Sequence, residues 1–405
     1  MKKIKVASLF SGCGGMDLGF VGGFQHRQTA LPKTKFEIVF ANDFDSDAVR
    51  TYQANTPYLG SHAFHAGDVR EIPAEVIPPF DVLLAGFPCQ PFSNAGNRQG
   101  VNDESGRGTL FYECERIIKS CAKNSGGKLP RAFVFENVRG IMSSKMPDGR
   151  TVPEEIKLKM EQLGFKVSMK LLRASDYGVP QRRFRFIIIG VRKDLPAFDF
   201  QSVDAVVQEM SLPSEMGDSY QLTLGATLCD IPKLAPQAQD FWKYSPQGQR
   251  MVDLIGPCID GAETLQKFKK RKSLAAMPKT ISQGRSWKNV DPDDLSPRFR
   301  KIHDDPKKYH APNFYRRFAL GEIAGTITAS AQPENCGITH PFENRRMSIR
   351  EIARIQSFPD DFVFPYTSIA GAYKVIGNAV PPIFAWVIAR ALEGHLERHA
   401  ENTDK

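Results

Sequence analysis

The sequence predicts an α/β fold in which a doubly wound sheet is followed by a second, less regular domain. In the first half of the chain, short β-rich runs alternate with segments of helical pattern, as expected when helices cover both faces of a sheet. From about residue 193 to about residue 340 this periodicity is lost, and Pro, Gly, Gln and polar residues dominate. We therefore predict a first domain at 1–192, a second at 193–344 and a return to the first at 345–405.

Each predicted strand is a short apolar run that ends at a polar or glycine-rich turn. The last of them, 184–190, is of the kind buried inside a sheet. The predicted strands span 3–10, 36–41, 80–87, 132–135 and 184–190. Helices are predicted at 109–122 and 153–163, and an amphipathic helix at 382–398.

Composition excludes several classes of protein. The 405 residues are 41% hydrophobic and 24% charged, which argues against wholesale disorder. No apolar run approaches about 18 residues, so we expect no transmembrane helix. The seven cysteines form no C-x-x-C pair, which disfavours a disulfide framework or a zinc cluster. His62 and His65 are interpreted as a surface or loop pair with no metal.

The net charge of +9 is concentrated in one stretch of the second domain. Residues 261–320 hold 15 Lys or Arg and 6 Asp or Glu, which accounts for the whole excess. Aromatic residues are interleaved with these charges. Such a stretch is either a solvated basic face or a surface for a polyanion such as nucleic acid.

Glycines and acids follow the first strands. Phe10–Gly15 (FSGCGG) comes directly after the first strand, where glycines permit a tight turn and close approach to a ligand. The spacing differs from the dinucleotide pattern G-x-G-x-x-G, which disfavours a nicotinamide-dependent oxidoreductase. Asp43 and Asp68 lie at the ends of later strands, where acids commonly bind ribose hydroxyls. Together these residues predict a nucleoside site.

A second set of residues predicts covalent chemistry. Cys89 lies just past a strand, between Pro88 and Pro91, and is therefore positioned for presentation as a thiolate nucleophile. Glu136 follows another strand and can act as an acid or as a hydrogen-bond partner of a substrate ring. Arg183 and Arg185 are two residues apart at the start of the last strand, so both point the same way.

In order along the chain, these motifs resemble the DNA cytosine-5 methyltransferases of bacterial restriction-modification systems. The residues that carry the resemblance are Phe10–Gly15, Pro88-Cys89-Gln90, Glu136-Asn137-Val138, Gln181–Arg185, Arg350–Asp361 and Tyr373–Pro382. The resemblance implies a Rossmann-like, S-adenosylmethionine-dependent methyltransferase sheet and makes 193–344 the target-recognition domain. It also implies methylation at carbon 5 of a flipped-out cytosine in a specific duplex sequence.

The resemblance implies a role for each catalytic residue. Cys89 would add to carbon 6 of the cytosine, and Glu136 would bind the ring nitrogen and amine. Arg185 would bind the ring carbonyl, and Arg183 would orient the thiolate and a nearby phosphate. The cofactor residues would be Phe10, Gly12, Gly14, Asp43, Phe44, Asp68, Val69, Pro88, Leu110, Asn378 and Val380. At the position of Asp43 the family usually has Glu, which is one methylene longer.

Double-stranded DNA is the expected partner, and the segment 90–108 is expected to close over it. The predicted DNA contacts are Gln90, Ser93, Arg107, Lys269, Lys270, Lys272, Arg285, Arg298, Arg316 and Arg317. We expect a monomeric cytoplasmic protein that is nucleoid-associated when bound to DNA and does not bind membranes. A cognate restriction endonuclease that acts on the same site would be a further partner. Two alternatives stay open, a tRNA cytosine-5 methyltransferase and a catalytically inactive DNA-binding module.

Overall fold

The computed structural model describes residues 3–88, 110–217, 219–258, 284–305, 314–329 and 339–399. The strands are β1 (Ile4–Leu9), β2 (Phe24–His26), β3 (Thr29–Leu31), β4 (Phe36–Asp43), β5 (Ala63–Ala66), β6 (Val82–Ala85), β7 (Ala132–Val138), β8 (Phe165–Arg173) and β9 (Phe184–Arg192).

The helices flank the sheet and continue into the second half of the chain. They are α1 (Gly15–Val21), α2 (Ser46–Ala54), α3 (Thr56–Leu59), α4 (Phe111–Asn124), α5 (Val152–Leu163), α6 (Gln201–Glu209), α7 (Leu224–Leu228), α8 (Pro246–Ile255), α9 (Pro297–Asp304), α10 (Ile349–Ile355), α11 (Ile369–Asn378) and α12 (Pro382–Arg398). All three helices predicted from the sequence are present, with boundaries within about two residues.

A seven-stranded sheet in the order β5-β4-β1-β6-β7-β9-β8 is the centre of the molecule. The five strands from β5 to β7 are parallel, whereas β9 is antiparallel to both β7 and β8. The carboxyl ends of the parallel strands therefore meet at one edge, together with the start of β9. Ligands of open α/β sheets bind at this edge.

Two apolar cores cover the two faces of the sheet. On one face, α1 packs against α12, and the largest buried side chain there is Trp386. On the other face, α4 and α5 cover the sheet with residues such as Phe111 and Ile156. Helices on both faces confirm the predicted α/β class.

Two strands of this sheet received no predicted bounds, although Asp68 was placed at a strand end, and there is a physical reason. β5 and β8 occupy the two edges, where one side of the strand has no neighbour. Most residues of both strands are only partly buried or exposed, so neither has the continuous apolar run of a central strand. The apolar runs of β6 and β9, which lie inside the sheet, were predicted.

The first core extends beyond the predicted boundary at residue 193. Phe198, Val203 and Leu224 are buried in the same cluster as the sheet, and α6 packs on α12. A separate small core lies further along the chain and is built around Val252, Trp287 and Phe299. Residues 198–228 thus pack as part of the first domain, which differs from the predicted division.

One stretch, Ile369–Arg398, is apolar and long enough by length and composition to cross a membrane, and the sequence analysis did not expect it. It comprises α11 and α12. Because 89% of its most apolar window is buried inside the protein, its apolar surface is already covered by the rest of the fold.

Candidate active site at the carboxyl edge of the sheet

The turn between β1 and α1 has an unusual backbone. Gly12 and Gly14 have φ angles of 57° and 85°, in the left-handed region that glycine tolerates. Phe10 also has a positive φ, of 54°, which strains a residue with a side chain. Such strain is often found where a backbone must be presented to a ligand.

Asp43 ties the end of β4 to this turn. Its Oδ2 accepts a hydrogen bond from the backbone N–H of Gly12 at 2.8 Å, and its Oδ1 accepts one from Asp45 at 2.9 Å. Burial raises the pKa of Asp43, while these backbone hydrogen bonds lower it. The next side chain, Phe44, is 71% exposed. A fixed carboxylate beside an uncovered aromatic ring suits the ribose and the base of a nucleoside.

Asp68 lies in the turn that follows β5. Its carboxylate accepts from the backbone N–H of Arg70 at 2.9 Å and from the Nε of that residue at 3.0 Å. The side-chain bond from Arg70 is the largest cause that lowers the pKa of Asp68. Val69 is buried in the second core, so its side chain anchors the turn.

The C-terminal part of the chain closes the other side of the glycine turn. A Cβ atom added to Gly15 would lie 2.4 Å from the carbonyl oxygen of Val380, so only glycine permits this approach. Asn378 is exposed at the end of α11. Lys374, one turn earlier, forms an ion pair with Asp45. This arrangement places Val380 beside the turn after β1 and brings the end of α11 toward the residues that follow β4.

Glu136 and Arg185 form a buried ion pair at the junction of β7 and β9. The Nε of Arg185 lies 2.5 Å from Oε1 of Glu136, and both side chains are 10% exposed. Burial lowers the pKa of Arg185, and the charge of Glu136 opposes that effect. Such a pair offers an acceptor and a donor side by side, as the edge of a polar ring requires.

Gly86 connects this ion pair to the glycine turn. A Cβ atom there would lie 3.5 Å from Oε2 of Glu136 and 3.9 Å from the carbonyl oxygen of Phe10. Gly86 therefore lies between the predicted base site and the predicted cofactor site, close to a residue of each. Asn137 holds the adjoining segment, because its Nδ2 donates to the carbonyl of Phe87 at 3.2 Å. Gly86 was not among the site residues predicted from the sequence.

The chain leads from Gly86 directly to the predicted nucleophile. Pro88 is half-buried at the end of this segment, and Leu110 is buried where the chain is next described. Cys89, Gln90, Ser93 and Arg107 lie outside the described residues. Five other cysteines (Cys13, Cys114, Cys121, Cys229 and Cys258) are described, and all are buried with no disulfide among them.

A family model, C-5 cytosine-specific DNA methylase, matches residues 4–394. The chain belongs to this family. Its curated relatives include the Type II methyltransferases M.FnuDI of Fusobacterium nucleatum and M.NgoPII of Neisseria gonorrhoeae, each 32% identical to it. These alignments cover 96% and 98% of this chain and 94% and 97% of the relatives. The predicted identity, a DNA cytosine-5 methyltransferase of restriction-modification type, is confirmed.

Solved structures show the same fold. The Entamoeba histolytica methyltransferase EhMeth has a TM-score of 0.58 and 14% identity, with coverage of 98% of this chain and 99% of that one. The Dnmt2 methyltransferase of S. pombe has a TM-score of 0.51 and 15% identity at the same coverage. At such identity the likeness concerns the fold alone.

In this methyltransferase, Arg183 is buried and bonded to backbone carbonyls. It is 1% exposed, and its guanidinium donates to the carbonyls of Ile327 at 2.7 Å and Gly377 at 2.8 Å. Burial, followed by the charge of Arg185, lowers its pKa well below the usual value. Through these carbonyls Arg183 joins three chain segments, and its predicted contact with the thiolate and a nearby phosphate stays a prediction.

The described arginines of the recognition segment that were predicted to contact DNA differ in their exposure to solvent and in their partners. Arg298 is exposed on α9 and Arg285 is half-buried. Arg316 pairs with Glu322 at 2.7 Å and lies over the ring of Phe318. Lys269, Lys270 and Lys272 lie outside the described residues.

Arg317 is fully buried, which corrects the prediction that it contacts DNA. Its guanidinium donates to the carbonyls of His340 and Glu343 and to Oδ1 of Asn344. Part of the basic charge between 261 and 320 thus stabilises the fold and does not face solvent.

An exposed arginine–phenylalanine pair at the rim of the site was also not predicted from the sequence. The guanidinium of Arg139 lies 5.7 Å from the centre of the ring of Phe184, at the points where β7 ends and β9 begins. Phe184 is 38% exposed. The signal in the sequence was an arginine directly after Glu136-Asn137-Val138.

Proposed function

We propose that the enzyme transfers a methyl group from S-adenosylmethionine to carbon 5 of a flipped-out cytosine in a specific duplex DNA sequence, through a covalent adduct of Cys89. The observation that carries this proposal is the position of Gly86. It lies between the Glu136–Arg185 pair and the glycine turn, and the chain continues from it to Cys89 after two residues.

The residues around the turn fit S-adenosylmethionine. Asp43 has a carboxylate held by two backbone N–H groups, which suits two ribose hydroxyls. The exposed ring of Phe44 would cover the adenine and Phe10 would lie against it, while Gly12 and Gly14 would lie near the methionine part. Asp68, Val69, Pro88, Leu110, Asn378 and Val380 would complete the site. When bound, the cofactor supplies an electrophilic methyl group on a positively charged sulfur.

Cys89 acts as the nucleophile in this proposal. Its thiolate adds to carbon 6 of the cytosine, which places electron density on carbon 5. After methylation, the proton of carbon 5 is removed and Cys89 leaves carbon 6, which restores the aromatic ring. The base must leave the stacked duplex for any of these bonds to form.

Glu136 and Arg185 stabilise the ring during the attack. Arg185 is held by Glu136, so a donor for the ring carbonyl is fixed in place before the base arrives. Oε2 of Glu136 lies beside Gly86, and in this proposal it binds the ring nitrogen and amine. Preorganised charges in a buried site stabilise developing charge without reorganisation.

The proposal extends to the partners. The recognition segment would select the DNA sequence, and its exposed cations, such as Arg298, would contact phosphates. The Type II relatives support a companion endonuclease with the same target. We further propose that the enzyme acts in the cytoplasm as a monomer, since one chain holds both the catalytic and the recognition parts.

The test compares Cys89→Ala with Cys121→Ala, a buried cysteine of α4. Bisulfite sequencing of DNA from cells that express each variant should show specific methylation only for Cys121→Ala and the natural enzyme. On duplexes that contain 5-fluorocytosine, these two proteins should become trapped covalently, whereas Cys89→Ala should bind without trapping. Normal methylation by Cys89→Ala would contradict the proposal, as would equal trapping of both variants.

A further inference from the structure

A carboxylate that pairs with none of the described cations is buried beneath the glycine turn. Asp17 lies in the first turn of α1 and is fully buried. Its Oδ1 accepts from the hydroxyl of Ser8 at 2.6 Å, and its Oδ2 accepts from the hydroxyl of Tyr52 at 2.7 Å. Among the described residues, no cation contributes to its pKa, which burial raises to about 6. Burial of a carboxylate is unfavourable unless it accepts such hydrogen bonds. The presence of Asp17 at this buried position therefore requires an explanation.

Tyr52 contacts both this carboxylate and the glycine turn, and it therefore links the two. A Cβ atom added to Gly14 would lie 3.1 Å from two carbons of the Tyr52 ring and 2.7 Å from Leu59. The backbone of Gly14 therefore rests directly on these two side chains. Tyr52 is 2% exposed, so its ring can shift only if its surroundings shift as well.

Three elements of the cofactor site meet at Asp17. Ser8 belongs to β1, which leads into Phe10. Asp17 belongs to α1, which begins at the glycine turn, and Tyr52 belongs to α2, which follows Asp43 and Phe44. One carboxylate thus joins the segments that carry the predicted ribose and adenine contacts.

We propose that Asp17 and Tyr52 are positioning residues for S-adenosylmethionine, which hold the glycine turn in the shape that binds the cofactor. The inference rests on the proposed function, because it assigns these residues to the same site. Neither side chain has to touch the cofactor. The carboxylate fixes the hydroxyl of Tyr52, and the ring of Tyr52 supports Gly14.

The network has a second arrangement that depends on pH. The hydroxyl of Tyr52 also lies 3.0 Å from Nε2 of His62, and burial lowers the pKa of this histidine. When Asp17 takes up a proton, Tyr52 can donate to His62 instead. The other acid that acts on Asp17 is Asp43, and Cys13 is close enough to experience the charge of Asp17. Protonation should therefore release Tyr52 and weaken cofactor binding below about pH 6.

The first test is calorimetric titration of S-adenosylmethionine, without DNA, into Tyr52→Phe and into the matched control Tyr177→Phe. Tyr177 is also buried, and its hydroxyl donates to Asp204 at 2.9 Å away from the glycine turn. Both variants lose one tyrosine–aspartate hydrogen bond, and Tm reports the loss of stability in each. Only Tyr52→Phe should raise the Kd, by about three- to tenfold if the bond contributes a typical net free energy.

Steady-state kinetics and pH give independent readouts. In Tyr52→Phe, KM for the cofactor should rise while kcat at saturating cofactor stays near that of the natural enzyme. Between pH 8 and pH 5, the Kd of the natural enzyme should rise, whereas Asp17→Asn should bind weakly at both values with a flatter profile. Asp43 is present in both proteins, so a pH dependence that came from Asp43 alone would remain in Asp17→Asn.

The outcomes separate the two proposals. If the natural enzyme bound no S-adenosylmethionine, the proposed cofactor site would be wrong and this inference would fall with it. If the natural enzyme bound it and Tyr52→Phe matched Tyr177→Phe in Kd, the network would be structural only. An unchanged pH profile in Asp17→Asn would likewise overturn the role of its carboxylate.

Discussion

At the scale of single residues, the Glu136–Arg185 pair holds two opposite charges in fixed positions in a largely buried part of the site. Each side chain is 10% exposed and each compensates the burial of the other. Arg185 additionally donates to the carbonyl of Phe184 at 2.8 Å. A forked, planar guanidinium can make such contacts at once, which the ammonium of a lysine cannot reproduce with the same geometry.

Arg185→Lys should therefore reduce kcat by about a hundredfold, the size of effect seen when one preorganised donor is removed. Affinity for S-adenosylmethionine should stay unchanged. Arg192→Lys is the matched control, since Arg192 lies at the other end of the same strand and pairs with Asp194. Single-turnover methylation and cofactor titration measure the two effects. A normal rate in Arg185→Lys would remove this residue from the chemistry.

At the scale of elements, the site depends on the contact between the start of α1 and the segment after α11. The carbonyl of Val380 approaches Gly15 so closely that a methyl group has no room. Lys374 and Asp45 reinforce the same contact from outside. The two walls of the cofactor site, which are more than 300 residues apart in the chain, are thus held by packing.

Gly15→Ala should force these walls apart. We expect a loss of about 1–3 kcal/mol in the free energy of unfolding, as for other overpacked sites, together with weaker cofactor binding. Gly217→Ala serves as the control, because a Cβ there would meet nothing closer than 4.0 Å. Urea unfolding and calorimetry report the two quantities. If Gly15→Ala bound the cofactor normally, the close contact would have no role in the site.

At the scale of the whole molecule, the division into two cores decides which segment can be exchanged. Residues 198–228 contribute to the core around the sheet, whereas Val252, Trp287 and Phe299 form a core of their own. We therefore propose that the recognition domain begins after Leu228, later than the sequence suggested.

A chimera that takes residues 229–323 from a relative with another target sequence keeps Ala324 and Ile327 of the core around the sheet, and it should fold and methylate the relative's sequence. A chimera that begins at residue 193 should be less stable, because it replaces side chains such as Phe198 and Val203 that are fitted to α12. Thermal unfolding and bisulfite sequencing of both chimeras test this expectation. An unaltered methylated sequence in the first chimera would refute the assignment of specificity to this segment.

Acid should destabilise the whole molecule through buried histidines. Burial lowers the pKa of His26 to about 3 and that of His340 to about 4. Both stay neutral in the folded protein at a pH at which the unfolded chain takes up protons. The stability that these two histidines contribute to the folded protein is complete above about pH 6.5 and is lost as pH falls toward 4. Asp17 has the opposite effect on stability. Because its pKa is raised in the folded protein, its contribution to the free energy of unfolding is lost as pH rises toward about 6.

His26→Gln should flatten the decrease in stability between pH 7 and pH 4.5, whereas the exposed His303→Gln should not. Urea unfolding midpoints across this range give the comparison. Parallel curves for His26→Gln and the natural enzyme would show that this histidine does not drive the acid sensitivity.

The sequence by itself determined the α/β class, the placement of the glycine turn, Asp43 and Glu136 at strand ends, and the family. These features depend on short-range patterns: apolar runs, glycines and polar residues at fixed positions along a few residues. The tertiary structure decided what each arginine does, because burial depends on segments far away in the chain. Arg183 and Arg317 look like nucleic-acid ligands in the sequence, yet both are buried among backbone carbonyls. The support of Gly14 by Tyr52 and of Tyr52 by Asp17 was equally hidden, since those contacts exist only after three elements have packed together.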